Sequence, residues 1–408
     1  MKKSLLALAL AGLYAGSASA ATPSVEEMWE IIQQQQAEIA RLKGAQAATD
    51  EKVEAAVDAV ESGPIANVAE WVNDTSFGGY GELHMNQLDN KTAGGTDKEE
   101  IDLHRFVLFF GHQFTDDVRF FSEFEIEHSI AGESKAGEVE VEQAFVEWDF
   151  ADNHSAKAGV FLVPVGILNE THEPDTFYGT ERNPVEKNII PSTWWEGGVA
   201  INGQIAEGVS YDLAVHSGLS IDTTGAPTGK YKVRDGRKKV GEAPAENAAF
   251  TGRIKYTAIP GLELAATVQH QTDIAQQQGA SAQTSANLIE AHAIYQTGPF
   301  QLRALYAMWD IDDSIVTDST VSGSDKQEGF YIEPSFKLSE SLGVFARYNE
   351  WDNQAGDSSS DSEYSQIDVG VNYWLTPTVV LKADYQNQSV PATEDEFDGF
   401  NLGVGWSF

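Results

Sequence analysis

The sequence predicts an all-β fold, a transmembrane antiparallel β-barrel of about 16 strands preceded by an N-terminal α-helical coiled coil. Three observations support this prediction. Apolar and polar residues alternate in successive segments of residues 75–408, short and long connections alternate between these segments, and the 408-residue chain begins with an export signal. Strands of about ten alternating residues, joined by short turns on one side and long loops on the other, are typical of outer-membrane barrels.

Residues 1–20 have the features of a cleaved secretory signal peptide. Lys2 and Lys3 provide its positive start, residues 4–14 its short apolar stretch, and Ala18-Ser19-Ala20 its small-residue cleavage site. A retained membrane anchor is the alternative. The apolar stretch is too short for that role, because a spanning helix needs about 20 apolar residues.

The composition narrows the class of protein. The chain has no cysteine, which excludes disulfides, cysteine ligands and an acylated N-terminal cysteine. Its 26 basic and 63 acidic residues give a formal net charge of -37, and loss of Lys2 and Lys3 with the signal peptide leaves 24 minus 63, or -39. Such acidity disfavours binding to nucleic-acid phosphates.

Residues 25–60 are predicted to form a helix within a periplasmic segment (21–62) that a linker (63–74) joins to the barrel. Heptads counted from Val25 place mostly apolar residues at the a and d positions, which are Val25, Met28, Ile32, Gln35, Ile39, Leu42, Gln46, Thr49, Val53, Ala56 and Val60. We expect the helix to self-associate. A single amphipathic helix lying on the barrel is the alternative.

The barrel strands are recognised by their period of two. Residues 118–128 alternate apolar and acidic side chains, and residues 139–150 alternate with a change of phase that a bulge near Gln143 would explain. Similar alternation recurs at 209–215, 253–256, 302–308 and 400–408. A soluble β-sandwich is the alternative, but aromatic girdles of a membrane barrel would explain strand-end Trp148, Trp194, Trp195, Tyr348, Trp351, Tyr373 and Trp374.

Residues 164–191 are the least strand-like part of the barrel region. They lack a clean period of two and contain several charged residues and prolines. Long irregular segments are usually functional or disordered, and apolar anchors such as Phe177 and Ile189 favour an ordered loop. We expect this loop to narrow the lumen and to place Glu173, Asp175, Glu181, Arg182 and Lys187 at the pore. A solvated surface loop is the alternative.

Charged side chains on the polar strand faces are expected to line the lumen. The basic ones are Arg105, Arg119, Arg253, Lys255, Arg303, Arg347 and Lys382, and the acidic ones are Glu123, Glu125, Glu127, Glu140 and Glu142. Arg303 is the weakest member of the set because Leu305 shares its face. Carboxylates on adjacent strands repel one another and therefore need basic partners, a cation or a wide aqueous lumen. Ion pairs within the wall are the alternative to a charged ion path.

The early barrel resembles the phosphate-selective porin O/P family in the stretches FVLFFGHQFTDDVRFFSEFEIEH, VEQAFVEWDF and KAGVFLVPVGILNETHEP. The N-terminal coiled coil is similar in design to that of dicarboxylate-type channels. The resemblance covers most of residues 76–408. It implies a homotrimer, and a terminal aromatic residue, Phe408, that the barrel assembly machinery recognises. The family's arginine ladder and lysine cluster bind phosphate, whereas this sequence has scattered basic residues and no lysine cluster.

These features predict a porin in the outer membrane of a Gram-negative cell, exported through a cleaved signal peptide. We expect a water-filled channel for passive diffusion of small hydrophilic solutes or ions, with anions such as phosphate or dicarboxylates among the candidates. Its expected partners are outer-membrane lipid, lipopolysaccharide and, through the coiled coil, peptidoglycan, but no nucleic acid.

Two other functions remain open. A structural or adhesive barrel could tether the outer membrane through the coiled coil. A barrel enzyme is disfavoured because the nine histidines are scattered and no nucleophile motif accompanies them. We therefore expect no catalytic residue, cofactor or metal. The acidic residues 352–363 could bind calcium, but their composition equally describes a solvated loop.

Overall fold

The computed structural model describes residues 71–408 except 224–230, 277–282 and 313–318, together with scattered residues between 29 and 54. Those scattered residues, among them Trp29, Gln46 and Val53, are helical. The expected signal peptide and most of the heptad positions lie outside the described residues. Contacts divide the chain into two units, Met1–Asn73 and Asp74–Phe408. In the part of the chain that is described, no helix combines the length and apolar character needed to cross a membrane.

The second unit is a closed barrel of sixteen antiparallel strands. Each strand pairs with its neighbours in sequence, and β1 closes the barrel against β16. The strands are β1 Thr75–Asn90, β2 Lys98–Thr115, β3 Val118–Glu127, β4 Val139–Ala151, β5 His154–Leu162, β6 Trp195–Ala206, β7 Val209–His216, β8 Ala249–Tyr256, β9 Leu262–Gln271, β10 Ala286–Thr297, β11 Phe300–Ile311, β12 Lys326–Lys337, β13 Leu342–Asp352, β14 Glu363–Thr376, β15 Val379–Ser389 and β16 Phe397–Ser407. The predicted strand number and antiparallel order are confirmed.

Short turns and long loops alternate around the barrel, as the sequence predicts. The turns after the even-numbered strands have two to five residues, from 116–117 to 377–378, whereas the longest loops span 163–194 and 217–248. Both ends of the barrel chain lie on the side of the short turns, where the backbone N–H of Phe408 donates to the carbonyl oxygen of Gly79 at 2.9 Å. The last residue therefore helps to close the barrel.

Two β-bulges interrupt the ladders near the start of the barrel. Glu123 pairs with Gln143 and Phe124 pairs with Val141, so Glu142 is the extra residue, and the predicted bulge beside Gln143 is confirmed. In the β1–β2 ladder the register shifts in the same way at His104. A bulge redirects a side chain that the alternation would otherwise fix.

The strand faces follow the alternation of the sequence. On β14, Ile367 and Val369 are exposed on the outside of the barrel, whereas Asp368 and Asn372 are buried inside it. This is the arrangement that a barrel with an apolar outer surface and a polar interior requires.

The interior also contains a hydrophobic core, which the sequence analysis did not predict. Ile189 and Ile190 of the long loop after β5 pack with Trp194 against Leu305 and Trp309 of β11. Leu305, the apolar residue on the Arg303 face, is only 3% exposed. Its presence on the polar face is explained because this part of the wall faces packed protein rather than water.

The aromatic prediction is therefore wrong for several residues. Trp194, Trp195 and Trp351 are buried inside the barrel and cannot belong to an outer girdle, and Trp374 contacts the Tyr178 ring inside the barrel. Trp148 and Tyr373 are exposed on the outside, consistent with the prediction. An aromatic residue at a strand end can lie on the inside or the outside of the barrel. The inside position is favoured where a loop packs against the strand from within the barrel.

Candidate functional site in the barrel lumen

Residues 163–194, between β5 and β6, fold into the barrel, and we call them the inner loop. They contact the wall on two sides. His172 lies against Glu123 of β3, and the backbone N–H of Thr180 donates to Asp384 of β15 at 2.7 Å. The inner loop therefore crosses the lumen and narrows it.

A buried charge network holds the inner loop to β1–β4. The Nε2 atom of His172 lies 3.4 Å from Glu123 and 3.5 Å from Glu142, and Arg105 donates to the His172 carbonyl oxygen and to Glu82. Burial alone would lower the pKa of His172, but the neighbouring Glu123 and Glu142 carboxylates raise it to about 10. The bulged Glu142 thus serves as an anchor for the loop.

A second anchor lies on the opposite wall. The Arg347 guanidinium of β13 pairs with Asp368 at 3.0 Å and with Glu333 at 3.1 Å. It also donates to the carbonyl oxygens of Tyr178 and Glu181, each at 3.3 Å. Five donors in a planar fork allow arginine to bind carboxylates and backbone oxygens at once.

The middle of the inner loop is held by a buried carboxylate, Glu186, in the short helix α1 (Val185–Asn188). It accepts backbone N–H bonds from Ile167 and Leu168 at 2.6 Å and a hydroxyl bond from Tyr331 at 2.9 Å. Gly166 makes room for this contact, because it has a φ of +74° and a Cβ there would lie 2.5 Å from the Glu186 carboxylate. Glu186 was not among the predicted residues.

The inner loop separates two cavities. The vestibule, about 590 Å³, opens toward the long loops and is lined by Glu181, Arg182 and Lys187. The turn-side cavity, about 580 Å³, is bounded by short turns and lined by Asp175. Phe177 lines both cavities and therefore lies at their boundary.

The five predicted loop residues are thus divided between different surroundings. Glu181, Arg182 and Lys187 share the vestibule. Asp175 lies on the other side of the loop, where it accepts a hydrogen bond from Ser407 at 2.8 Å. Glu173 is half-buried and lines neither cavity. The sequence predicted the loop but not which of its residues line which cavity.

Most of the predicted basic wall residues are engaged by protein groups. Arg119 pairs with Glu147 and Asp149, Arg253 with Asp212 and Glu170, and Lys255 with Glu263. Arg303 donates to the Thr176 carbonyl oxygen at 3.0 Å, and the Lys382 ammonium lies 3.6 Å from the Phe177 ring centroid. With Arg105 and Arg347 as loop anchors, the ion-pair alternative describes most of this set.

The predicted acidic residues are also divided. Glu123 and Glu142 face His172, and Glu125 is buried beside them. Glu127 and Glu140 line the vestibule, where Glu140 pairs with Lys239.

Four cations of the vestibule have no carboxylate partner among the described residues. Arg182 and Lys187 come from the inner loop, and Arg234 and Arg237 come from the loop between β7 and β8. Within the described residues, none of the four has a carboxylate within 4 Å. Arg234 instead donates to the carbonyl oxygens of Lys187 and Ser192, and Arg237 donates to that of Thr193.

These four cations are close enough to repel one another. Burial, then Arg237 and Arg182, lower the pKa of Arg234 to about 9. Burial and then Arg182 lower the pKa of Arg237, and enclosure in the lumen together with Arg234 lowers that of Lys187. Because these positive charges lie close together, an anion between them would reduce their mutual repulsion.

The vestibule carboxylates, by contrast, are largely paired. Glu100 pairs with Lys98 at 3.1 Å, Glu181 with His84 at 3.1 Å, and Asp102 with His128 at 2.7 Å. These three carboxylates come from β2 and the inner loop. Arg234 and Arg237 could not be predicted from the sequence because they lie in a long polar loop where no period indicates which side chains turn inward.

Comparisons with known proteins agree with this architecture. A family model described as Gram-negative porin matches residues 5–393. An uncharacterised protein of Aquifex aeolicus (strain VF5) is 32% identical over 377 residues, which covers 85% of this chain and 83% of that protein.

Solved structures are similar in fold. The anion-selective porin from Comamonas acidovorans superposes with a TM-score of 0.57 at 13% identity, covering 82% of this chain and 99% of that one. The trimer form of in-vitro folded OmpT, an outer membrane protein of Vibrio cholerae, superposes with a TM-score of 0.53 at 10% identity over 82% and 99% of the two chains.

Proposed function

The chain belongs to the Gram-negative porin family, and on that premise we propose that it forms a water-filled outer-membrane channel for passive diffusion of small hydrophilic anions. Phosphate and dicarboxylates are the candidate solutes. Family and fold favour a channel that performs no chemistry. A closer kinship with the phosphate-selective porin O/P family rests on the sequence resemblance and is part of the proposal.

One observation carries the anion preference, namely the four cations of the vestibule that lack a carboxylate partner among the described residues. Charged rings and clusters at a narrow aperture select ions by their sign. The net charge of -37 argues for the opposite preference, but it is summed over the whole chain. Dissolved ions screen the interaction between charges more than about 10 Å apart at 0.1 M salt, so the charges that line the vestibule dominate.

The proposed path runs from the vestibule past Phe177 to the turn-side cavity. Arg182 and Lys187 would meet an entering anion first, and Arg303 lines the cavity on the far side. The Lys382 side chain is buried against Phe177 at the boundary between the two cavities. The interior core on β10–β12 confines this path to the remaining part of the lumen.

We further propose a trimer with a periplasmic stalk, formed by the predicted coiled coil. The fold likeness to the trimer form of OmpT from Vibrio cholerae supports the trimer, and the helical state of the described residues 29–54 is compatible with the stalk. The exposed ring of Phe408, stacked on Phe106 at 6.4 Å, would serve the assembly machinery as a recognition signal. Lipid and lipopolysaccharide would cover the apolar outer surface.

Liposome swelling tests the solute class. Folded protein in liposomes should admit succinate and phosphate faster than a neutral sugar or an organic cation of similar size. Equal rates for all solutes would contradict the anion preference but leave the channel intact. No swelling with any of them would contradict the channel itself.

A further inference from the structure

Three histidines lie together on one wall of the vestibule, and they are separate from the four cations Arg182, Lys187, Arg234 and Arg237. His84 lies on β1, His104 on β2 and His128 directly after β3. The His84 and His104 rings stack with centroids 4.5 Å apart, and His128 meets His104 edge-on at 5.9 Å. All three line the vestibule.

The local backbone brings these rings together. His104 is the extra residue of the β1–β2 bulge, and the bulge allows both Asp102 and His104 to face the vestibule although Arg105 also points inward. His128 has a φ of 54°, which turns the chain back at the end of β3, and its N–H donates to the His104 carbonyl oxygen at 3.3 Å. The cluster is therefore positioned by backbone geometry.

Asp102 lies between two of the imidazoles. Its Oδ2 atom is 2.7 Å from Nδ1 of His128 and 3.4 Å from Nδ1 of His104. Within the described residues, no lysine or arginine comes within 4 Å of Asp102, because Lys98 pairs with Glu100 and Arg105 pairs with Glu82. The carboxylate therefore faces only imidazoles.

We propose that Asp102, His104 and His128 bind one divalent transition-metal ion of the Zn²⁺ type at the vestibule wall. Ligand atoms of these three side chains lie within 4.8 Å of one another. In a tetrahedral zinc site with bonds of about 2.1 Å, ligand atoms are ~3.4 Å apart, so small side-chain movements would complete the site. Two imidazoles and a carboxylate suit Zn²⁺, Ni²⁺ or Cu²⁺, whereas Mg²⁺ and Ca²⁺ prefer oxygen ligands.

The side chains are also accessible to an ion. Those of Asp102, His104 and His128 are 20%, 31% and 35% exposed, and they line an open cavity. Three protein ligands leave a fourth position for water or for a passing anion.

A second set, His84, His104 and Glu181, has the same spacing of ligand atoms. His84 is nevertheless held on both ring nitrogens, at 3.1 Å from Glu82 and 3.1 Å from Glu181. His104 can give its coordinating nitrogen to one ion only, so the two sets exclude each other. We assign the ion to the Asp102 set, because binding to the His84 set would break the ion pairs of His84 with Glu82 and Glu181.

Calorimetric titration of the detergent-solubilised, folded protein with ZnCl₂ tests the site without requiring channel activity. The wild type should bind one Zn²⁺ per chain, and excess Mg²⁺ or Ca²⁺ should not compete. His104→Gln and His128→Asn should each weaken binding by at least about tenfold, the effect expected when a ligand shell is broken. Asparagine is chosen at position 128 because it tolerates positive φ.

His270→Gln is the matched control, since His270 is exposed on the outer surface and should leave the affinity unchanged. Heat-modifiable migration establishes that each variant is folded. Absence of saturable binding to the wild type, or wild-type affinity in both His104→Gln and His128→Asn, would overturn the site. Binding that is lost in His84→Gln and kept in His128→Asn would overturn the assignment to Asp102.

Discussion

Arg347 donates a hydrogen bond from its Nη1 atom to the carbonyl oxygen of Tyr178 at 3.3 Å, and so joins β13 to the inner loop. The same guanidinium satisfies two wall carboxylates, Asp368 and Glu333. A residue that the sequence indicates only as a pore-lining cation therefore fastens the inner loop to the barrel wall. We therefore expect Arg347 to set the aperture by holding the inner loop.

We expect Arg347→Lys to widen or loosen the aperture. Lysine keeps the positive charge beside Asp368 and Glu333 but lacks the planar fork that reaches the two loop carbonyls. Single-channel recordings should show a larger mean conductance and more open-channel noise. Arg119→Lys is the control, because Arg119 pairs with Glu147 and Asp149 and does not contact the inner loop. Identical recordings for wild type and Arg347→Lys would show that this anchor does not set the aperture.

The anchor at His172 should depend on pH. Its pKa in the folded protein is about 10, above the ordinary value of 6.5, so the protonated ring favours the folded state. This contribution is complete below about pH 6.5, declines as the pH rises, and is lost near pH 10. The difference in thermal stability between wild type and His172→Gln should therefore shrink between pH 6 and about 10.5. A difference that stays constant over this range would refute the charged anchor.

Removing two of the four vestibule cations should reduce the preference of the channel for anions. In Arg234→Gln/Arg237→Gln, two of the four cations are removed while most side-chain volume and hydrogen-bonding capacity remain. The reversal potential in a salt gradient should move toward cation selectivity. The double variant Lys232→Gln/Lys238→Gln removes the same charge from exposed positions of the same loop that do not line the vestibule, and it should behave as wild type. Equal shifts in both variants would point to overall charge rather than to the cluster.

Deletion of residues 21–62 tests the proposed stalk. Coiled-coil packing of apolar a and d positions would add to trimer stability, so the trimer of the shortened protein should dissociate at a lower temperature in a detergent gel. The monomeric barrel should keep its heat-modifiable migration, because its strands are complete. An equally stable trimer would show that the stalk does not hold the subunits together.

The barrel itself could be predicted because a period of two is a local property of the sequence. Alternation, turn length and even the phase change at Gln143 indicate strands and a bulge without reference to any distant residue. Leu305 is a visible exception to the alternation, and it marks the wall on which the interior core packs. A break in the alternation was thus an indication of interior packing.

The site was less predictable because it depends on long-range contacts. Arg234 and Arg237 lie in a loop without periodicity, and their direction follows from the carbonyl oxygens of the inner loop that accept their hydrogen bonds. Asp175 and Glu181 are six positions apart in that loop, yet they face different cavities. Composition identifies such residues as polar, but only the folded loop determines which of them share a surface.

The reversal potential of the wild-type channel in a planar bilayer under a KCl gradient decides whether the lumen prefers anions. Folded, heat-modifiable protein should insert with stepwise conductance, and the reversal potential should have the sign of chloride selectivity, because Arg182, Lys187, Arg234 and Arg237 line the vestibule without a carboxylate partner among the described residues. A reversal potential of the opposite sign, or one of zero, from protein that conducts in steps would show that the channel does not prefer anions.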